Sequence, residues 1–290
     1  MTEETRYATE ESAGPGRVLV TSGTGRTGRR VVERLSARGV PVRVGSRRGE
    51  IPFDWSDASG WEAALSGVEA AYVAYVPDLG APEAPAAMTS FGEAARRCGV
   101  RRLVLLSGRG EPVAAEAEEA LRAAAGDAVL TVVRSAFFTQ NFSEGALLDG
   151  VLGGELVFPA GDTAEPFVDA DDLADVVVAA LCGEGVAGSV VELTGPRALT
   201  FAEVAAELAA ATGREVRYVP VTGAEYEGML VGFGVPGPEA AFLAGLFTSL
   251  LDGRNTAVTD GVERALGRGP KSFARYAAEA AREGFWTVRG

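Results

Sequence analysis

Gly23, Gly25 and Gly28 stand in the run VLVTSGTGRTGRRVVERL (residues 18–35), between an apolar stretch and an amphipathic one. Glycines at this spacing act through what they lack. The first permits a tight turn, the second lets the main chain approach a pyrophosphate, and the third lets a helix pack closely on a strand. The amides that open the following helix then turn partial positive charge toward the phosphates. Thr24, Arg26 and Thr27 complete the loop, with Arg26 a further candidate phosphate contact. A dinucleotide is the ligand this pattern predicts, against the weaker alternative of a glycine turn that holds nothing. About twenty residues beyond such glycines, an NAD-selective site carries an Asp or Glu for the ribose hydroxyls. Here Ser46, Arg47 and Arg48 occupy that place. Guanidinium groups bind a 2′-phosphate that a carboxylate would repel, so the expected coenzyme is NADPH/NADP.

Elements that would position these residues alternate along the first half of the chain. Residues 17–22, 41–46, 70–76, 102–107 and 129–134 are short and almost continuously apolar, as parallel strands covered on both faces are. Helical patterns fill 27–38, 57–65, 85–98 and 114–125. Strict alternation predicts an α/β fold with a doubly wound, parallel Rossmann sheet. Farther on, the pattern predicts helices over 167–181 and 200–213, strands over 189–195 and 215–221, and two helices within 224–251. Thr200 and Glu203 form a capping box, and Gly213 a helix stop. The expected division is a polar tail (1–16), an NADP-binding Rossmann core (17–150) and a small, mostly helical substrate-binding lobe interleaved with the sheet (151–290).

Composition narrows the chemistry. Among 290 residues, 27 Lys+Arg face 40 Asp+Glu, for a formal charge of −13, and histidine is absent. Without histidine there is no Ser-His-Asp triad, no Cys-His pair and no HExxH zinc site. Such an acidic surface disfavours nucleic acid. Cys98 and Cys182 are isolated, predicting two buried thiols with no disulfide or metal cluster. No apolar run reaches membrane-spanning length and the acidic N-terminus lacks the features of a secretory signal, which predicts a cytoplasmic protein. Monomer and homodimer both stay open.

The glycine loop is followed in order by SRR, FDWSDASGWEAALSGVEAAYVAYVP, LVLLSG, VVRSAFFTQNF and PFVDADDLADVVVAAL. With this set the chain resembles the NmrA-like branch of atypical short-chain dehydrogenases/reductases. The closing VTDGVERALGRGPKSFARYAAEAAREGFW is similar to the C-terminal signature of bacterial members. The resemblance implies that Asp54 and Trp55, after a short third strand, lie beside the adenine. It implies that Tyr75, Val76 and Pro77 pass the nicotinamide side, and that Ser107 stands where classical relatives keep a catalytic Ser or Thr. Phe137, Phe138, Asn141 and Phe142 would line the substrate cleft. One departure matters: the window after Ser107 holds neither the Tyr nor the Lys of the classical Tyr-x-x-x-Lys pair.

Two readings of different class follow. In the first, the protein is an NADPH-dependent reductase of an electron-poor aromatic or conjugated acceptor, such as a quinone, an enone or a delocalised cation. Orientation supplies most of that catalysis, with Tyr75, Ser107 or Asn141 as weak proton donors. Tyr226 and Phe233 are candidate walls for a flat substrate, and GFGVPGP a lid hinge. In the second, it is a non-catalytic dinucleotide sensor, as the regulators that give the family its name are. A nucleotide-sugar epimerase, whose relatives keep Tyr and Lys, ranks third. High Ala, Gly and Arg usage suggests a GC-rich bacterium and a role in secondary metabolism.

Overall fold

The computed structural model describes residues 16–287; the rest of the expected N-terminal tail lies outside the described residues. Strand and helix alternate through β1 (Val18–Val20), α1 (Arg26–Ala37), β2 (Val42–Val44), α2 (Trp61–Leu65), β3 (Ala70–Val73), α3 (Ala84–Arg97), β4 (Arg102–Gly108), α4 (Pro112–Ala124) and β5 (Val129–Ser135). The chain continues with α5 (Leu148–Gly153), β6 (Glu155–Phe158), β7 (Ala164–Glu165), α6 (Ala170–Leu181), β8 (Val190–Leu193), β9 (Leu199–Thr200), α7 (Phe201–Thr212) and β10 (Arg217–Pro220). Four helices close it: α8 (Gly223–Gly232), α9 (Gly237–Leu250), α10 (Gly261–Leu266) and α11 (Phe273–Arg282).

Six strands form one parallel sheet in the order β2-β1-β3-β4-β5-β8, a Rossmann sheet. Alternate side chains of a strand face opposite sides. Val18 and Val20 therefore join α1, α6 and α10 on one face, while Leu19 joins α2, α3 and α4 on the other. That double cover is why the strands read as nearly unbroken apolar runs. A third cluster, rich in aromatic rings, packs α5, α7, α8, α9 and α11 around β6 beyond the sheet. Since β8 pairs with β5, the later half of the chain completes the sheet as well as forming this lobe. Among the described residues no helix is long and apolar enough to cross a membrane.

Local chemistry sets several boundaries. The capping box at α7 forms as its spacing predicts: Thr200 Oγ1 accepts from Glu203 N at 3.2 Å, and Glu203 Oε2 accepts from Thr200 N at 2.8 Å. The short strand expected before Asp54 does not form. Asp54 takes part only in an isolated bridge with Asp57, because its carboxylate accepts from Ser56 N (2.9 Å) and Ser56 Oγ (2.8 Å) and turns the chain. Asp57 likewise accepts from Ser59 N, which makes residues 58–60 a tight 3₁₀ turn before α2. Cys98 and Cys182 cap the C-terminal ends of α3 and α6. There they are half-buried, not the buried thiols expected, because a helix end leaves one side open to water.

One buried charge links the sheet to α4. Glu118 is 2% exposed and accepts from Arg134 Nη2 at 2.6 Å and from Ser107 Oγ at 2.6 Å. Removing the guanidinium would leave a carboxylate stranded from water. Arg134→Ala is expected to lower unfolding free energy by about 3 kcal/mol, measured by urea denaturation.

Candidate functional site

β1 is flanked by β2 on one side and β3 on the other, so successive crossovers leave it in opposite directions. Ligands of open α/β sheets bind in the crevice at that switch, beyond the strands' C-terminal ends. Thr21 holds the crevice's base together: its Oγ1 donates to Tyr72 O at 3.0 Å and accepts from Ala74 N at 2.8 Å. Above it the chain turns sharply. Ser22 has φ 49°, a left-handed conformation that costs a residue with a Cβ about 1–2 kcal/mol. Its Oγ donates to Ala74 O at 2.9 Å, and its carbonyl accepts from Gly25 N at 2.8 Å. A Cβ on Gly28 would sit 2.8 Å from Gly23 Cα and well inside the radius of Ser22 O.

The helix that follows is built unlike α7 and α8. Those two are closed by Thr200/Glu203 and Thr222/Glu225 boxes. α1 begins at Gly25 with no side-chain cap and no acid in its first turn. Its first intrahelical bond runs from Arg29 N to Gly25 O at 3.0 Å, so the amides of residues 26–28 keep no acceptor within the helix. Uncapped amides beside a glycine turn make a cradle for an anion, and a dinucleotide's pyrophosphate fits it.

From this turn a cleft of about 1010 Å³ runs across the ends of β3, β4 and β5 to α9. Gly25, Arg26, Thr27, Tyr75, Val76, Pro77, Ser107, Phe137, Phe138 and Asn141 line it. Arg26 reaches from the glycine turn to Asn141 Oδ1 and, at 3.4 Å, to Glu144 O. That tie leaves its Nε buried without a partner, and burial lowers the guanidinium's pKa. Thr27 Oγ1 accepts from the buried Tyr72 hydroxyl at 3.1 Å. Gly23 and Thr24 complete the turn outside the cleft lining, Gly23 against Val44 and Thr24 exposed.

Ser46, Arg47 and Arg48 follow β2 at the outer end of the crevice. Ser46 O closes the turn, accepting from Gly49 N and Phe53 N. Both arginines are exposed, and among the described residues no carboxylate lies within 4.0 Å of either. Asp54 is spent in part on Ser56, and Trp55 Nε1 donates to Ala74 O at 2.9 Å. The Trp55 ring packs edge-on to Tyr75 with 5.1 Å between centroids.

Three substrate-wall expectations are corrected. Phe142 is 0% exposed and points into the aromatic lobe, where it meets Phe167, Phe201 and Phe273. Tyr226 is buried behind the cleft against Phe158 and Phe247. Phe233 caps the C-terminal end of α8 and is 81% exposed. The apolar wall comes instead from α9, through Phe242, Leu243, Leu246 and Phe247. Two of the suggested proton donors also meet obstacles. The Ser107 hydroxyl is committed to donating a hydrogen bond to Glu118 Oε1. Burial, and then Glu83, pushes the Tyr75 phenol upward.

Sequence reasoning missed the cleft's acids. Asp78 follows the β3 loop and accepts from Gly80 N at 2.8 Å. Glu111 precedes α4, and its buried carboxyl lies against that of Asp78. Burial raises both carboxyls, and the neighbouring Asp78 adds to it for Glu111, which reaches about 8. Glu165, in β7, accepts from Phe137 N at 3.1 Å, and burial pushes its pKa up to about 7. The one available signal was their proximity to other marks: Glu111 lies four residues after Ser107, and Glu165 directly precedes PFVDADD.

Glu165 carries a stability consequence. Its folded pKa is about 7 against an ordinary 4.5, so the folded chain keeps a proton that the unfolded chain gives up. The stabilisation is complete below the unfolded value and is lost as pH rises toward about 7, roughly 3 kcal/mol in all. Glu165→Gln is expected to flatten this decline, seen by comparing urea midpoints of the two chains between those limits.

No family model matches the chain. It is 32% identical to an uncharacterised oxidoreductase, YesF, of Bacillus subtilis, over 93% of this chain and 96% of that one. It is also 32% identical to an NAD(P)H azoreductase of Xenophilus azovorans, over 90% and 96% of the two chains. The fold matches that of Citrobacter sp. triphenylmethane reductase complexed with NADP(H), with TM-score 0.73 and 22% identity over 91% of this chain and 99% of that one. With these relatives spanning its length, the chain belongs to the NmrA-like branch of the atypical short-chain dehydrogenases/reductases, a branch of the NAD(P)H-dependent oxidoreductases.

Proposed function

We propose that the protein is an NADPH-dependent reductase that delivers hydride to an electron-poor aromatic or conjugated acceptor. The observation that carries this is the single cleft that joins an uncapped helix N-terminus at the switch point to an apolar wall on α9. The named activities of relatives, an azoreductase and a triphenylmethane reductase, point the same way.

In this reading the amides of 26–28 and the turn Gly23–Gly28 hold the pyrophosphate, and Arg47, with Arg48 and Ser46, holds the 2′-phosphate. Asp54 and Trp55 border the adenine, and Tyr75, Val76, Pro77 and Ser107 border the nicotinamide. The coenzyme supplies a hydride; the protein's work is binding and orientation. Phe137, Phe138 and α9 exclude water and press a flat acceptor against the strand ends, and Asn141 presents a polar contact fixed by Arg26. Residues 17–150 carry the coenzyme and 151–290 most of the acceptor's apolar wall.

The test is turnover of NADPH by the purified chain with a panel of quinones, enones, azo dyes and triarylmethane cations, followed by loss of the reduced-nicotinamide absorbance. Saturable oxidation with any of these supports the reading. Tight NADPH binding with no turnover across the panel would favour a coenzyme sensor instead.

A further inference from the structure

We propose that Glu165 is the proton donor of this reduction, the acid that replaces the missing Tyr–Lys pair; the proposal rests on the reductase reading of the cleft. Glu165 is 4% exposed, yet its side chain lines the cleft. Phe137 N–H donates to Oε1 at 3.1 Å, and no donor meets Oε2 among the described residues. A carboxyl pinned through one oxygen carries its proton on the other, which is the geometry a general acid needs. The rings of Phe137 and Phe158 line the same cleft and keep water from stabilising the carboxylate.

The charges around it explain why it can hold a proton at neutral pH. Arg109, at the end of β4, is the cation that favours its ionised form. That guanidinium is already committed, to Glu192 Oε2 (3.1 Å), Asn255 O (3.0 Å) and Ala257 O (3.0 Å). Thr256, which donates to Ala164 O, and Leu199 of β9, paired with Glu165, bring no charge. Asp78 and Glu111 line the cleft as acids. Burial therefore prevails, and the carboxyl titrates at about 7.

The step balances. The acceptor takes a hydride from the reduced nicotinamide at carbon, and the displaced π pair moves to its conjugated oxygen or nitrogen. That atom takes the proton on Glu165 Oε2; the O–H bond breaks and its electron pair stays on the carboxylate. Solvent that enters once the product has left then returns a proton to Glu165. A delocalised cation becomes neutral on gaining hydride and needs no proton, so the donor is dispensable for that class.

The experiment compares wild type with Glu165→Gln and Glu111→Gln on an enone and on a triarylmethane cation. Glu165→Gln is expected to lower kcat for the enone by about a hundredfold with KM little changed, and to leave the cation's rate intact. Wild-type kcat for the enone should fall as pH rises through about 7, and this limb should vanish in Glu165→Gln. Infrared titration of the coenzyme-free chain gives an independent readout. A protonated-carboxyl band should disappear across the same pH range and be missing from Glu165→Gln. Equal loss on both acceptors would mark a structural role and overturn the proposal. So would a pH limb that persists in Glu165→Gln or disappears only in Glu111→Gln, or an infrared spectrum the substitution leaves unchanged. No turnover by wild type of any acceptor in the quinone, enone, azo-dye and triarylmethane panel would remove the reductase reading and the proposal with it.

Discussion

Gly28→Val is expected to cut NADPH affinity severely and to destabilise the fold. The new Cβ would meet Ser22 O and the Cα of Gly23, both main-chain atoms that cannot rotate away. Ser22 is fixed in its left-handed conformation by bonds to Ala74 O and from Gly25 N. α1 cannot retreat either, because Val31 and Leu35 are wholly buried against the sheet. The turn must open, and the amides of 26–28 then leave the crevice together. Overpacking of this kind costs about 1–3 kcal/mol of stability. Affinity should fall more steeply, by roughly a hundredfold or more, since several amide contacts to one diphosphate are lost at once. Isothermal titration with NADPH and urea denaturation measure the two effects. Gly228→Ala is the control: inside α8, with nothing within 4 Å of the added Cβ, it should leave NADPH affinity unchanged and raise stability slightly, by about 0.5–1 kcal/mol, the opposite sign to Gly28→Val. Unchanged NADPH affinity in Gly28→Val would show that the turn is not where the pyrophosphate binds.

What the sequence made legible was whatever short-range chemistry decides. Gly23 and Gly28 betray the turn because main-chain atoms stand under 3.0 Å from where a Cβ would sit, and at Gly25 the nearest main-chain atom, Ser22 O, leaves a Cβ a tight 3.1 Å. The Thr200–Glu203 box fixes a helix start within four residues. The sheet's strands follow from continuous apolar runs, and their parallel order from the helices between them. The cleft is different, because it is made by convergence. Glu165 reaches it from β7, Asp78 from the loop after β3, Glu111 from the start of α4 and Phe247 from α9. No local pattern ties those positions together, and an acidic side chain in sequence looks the same whether it is solvated or buried. The aromatic run shows the same limit. Phe137 and Phe138 line the cleft while Phe142 turns into the lobe, and the 3₁₀ turn at Thr139–Phe142 that separates them has no strong sequence mark. Tyr226 and Phe233 fail as walls because α8 lies behind α9 as seen from the cleft, a packing order that helical periodicity does not encode.

Arg47→Glu is expected to reverse the coenzyme preference. Arg47 follows β2, has no carboxylate within 4.0 Å among the described residues, and belongs to a chain of net charge −13. In such a field a cation at this end of the crevice offsets the general repulsion of a triply phosphorylated ligand. Substituting glutamate removes charge-assisted bonds worth about 2 kcal/mol and sets a carboxylate against the 2′-phosphate. NADPH affinity should therefore drop by about a hundredfold, while NADH, which presents hydroxyls that a carboxylate can accept from, should hold or improve. Because the site is exposed, the gap between wild type and variant should narrow as salt is added. Parallel titrations of both coenzymes at two ionic strengths measure this. An equal loss for NADPH and NADH would mean that Arg47 supports the fold of the β2 turn and reads no phosphate; the 2′-phosphate would then need another cation, with Arg48 and Arg26 next to be substituted.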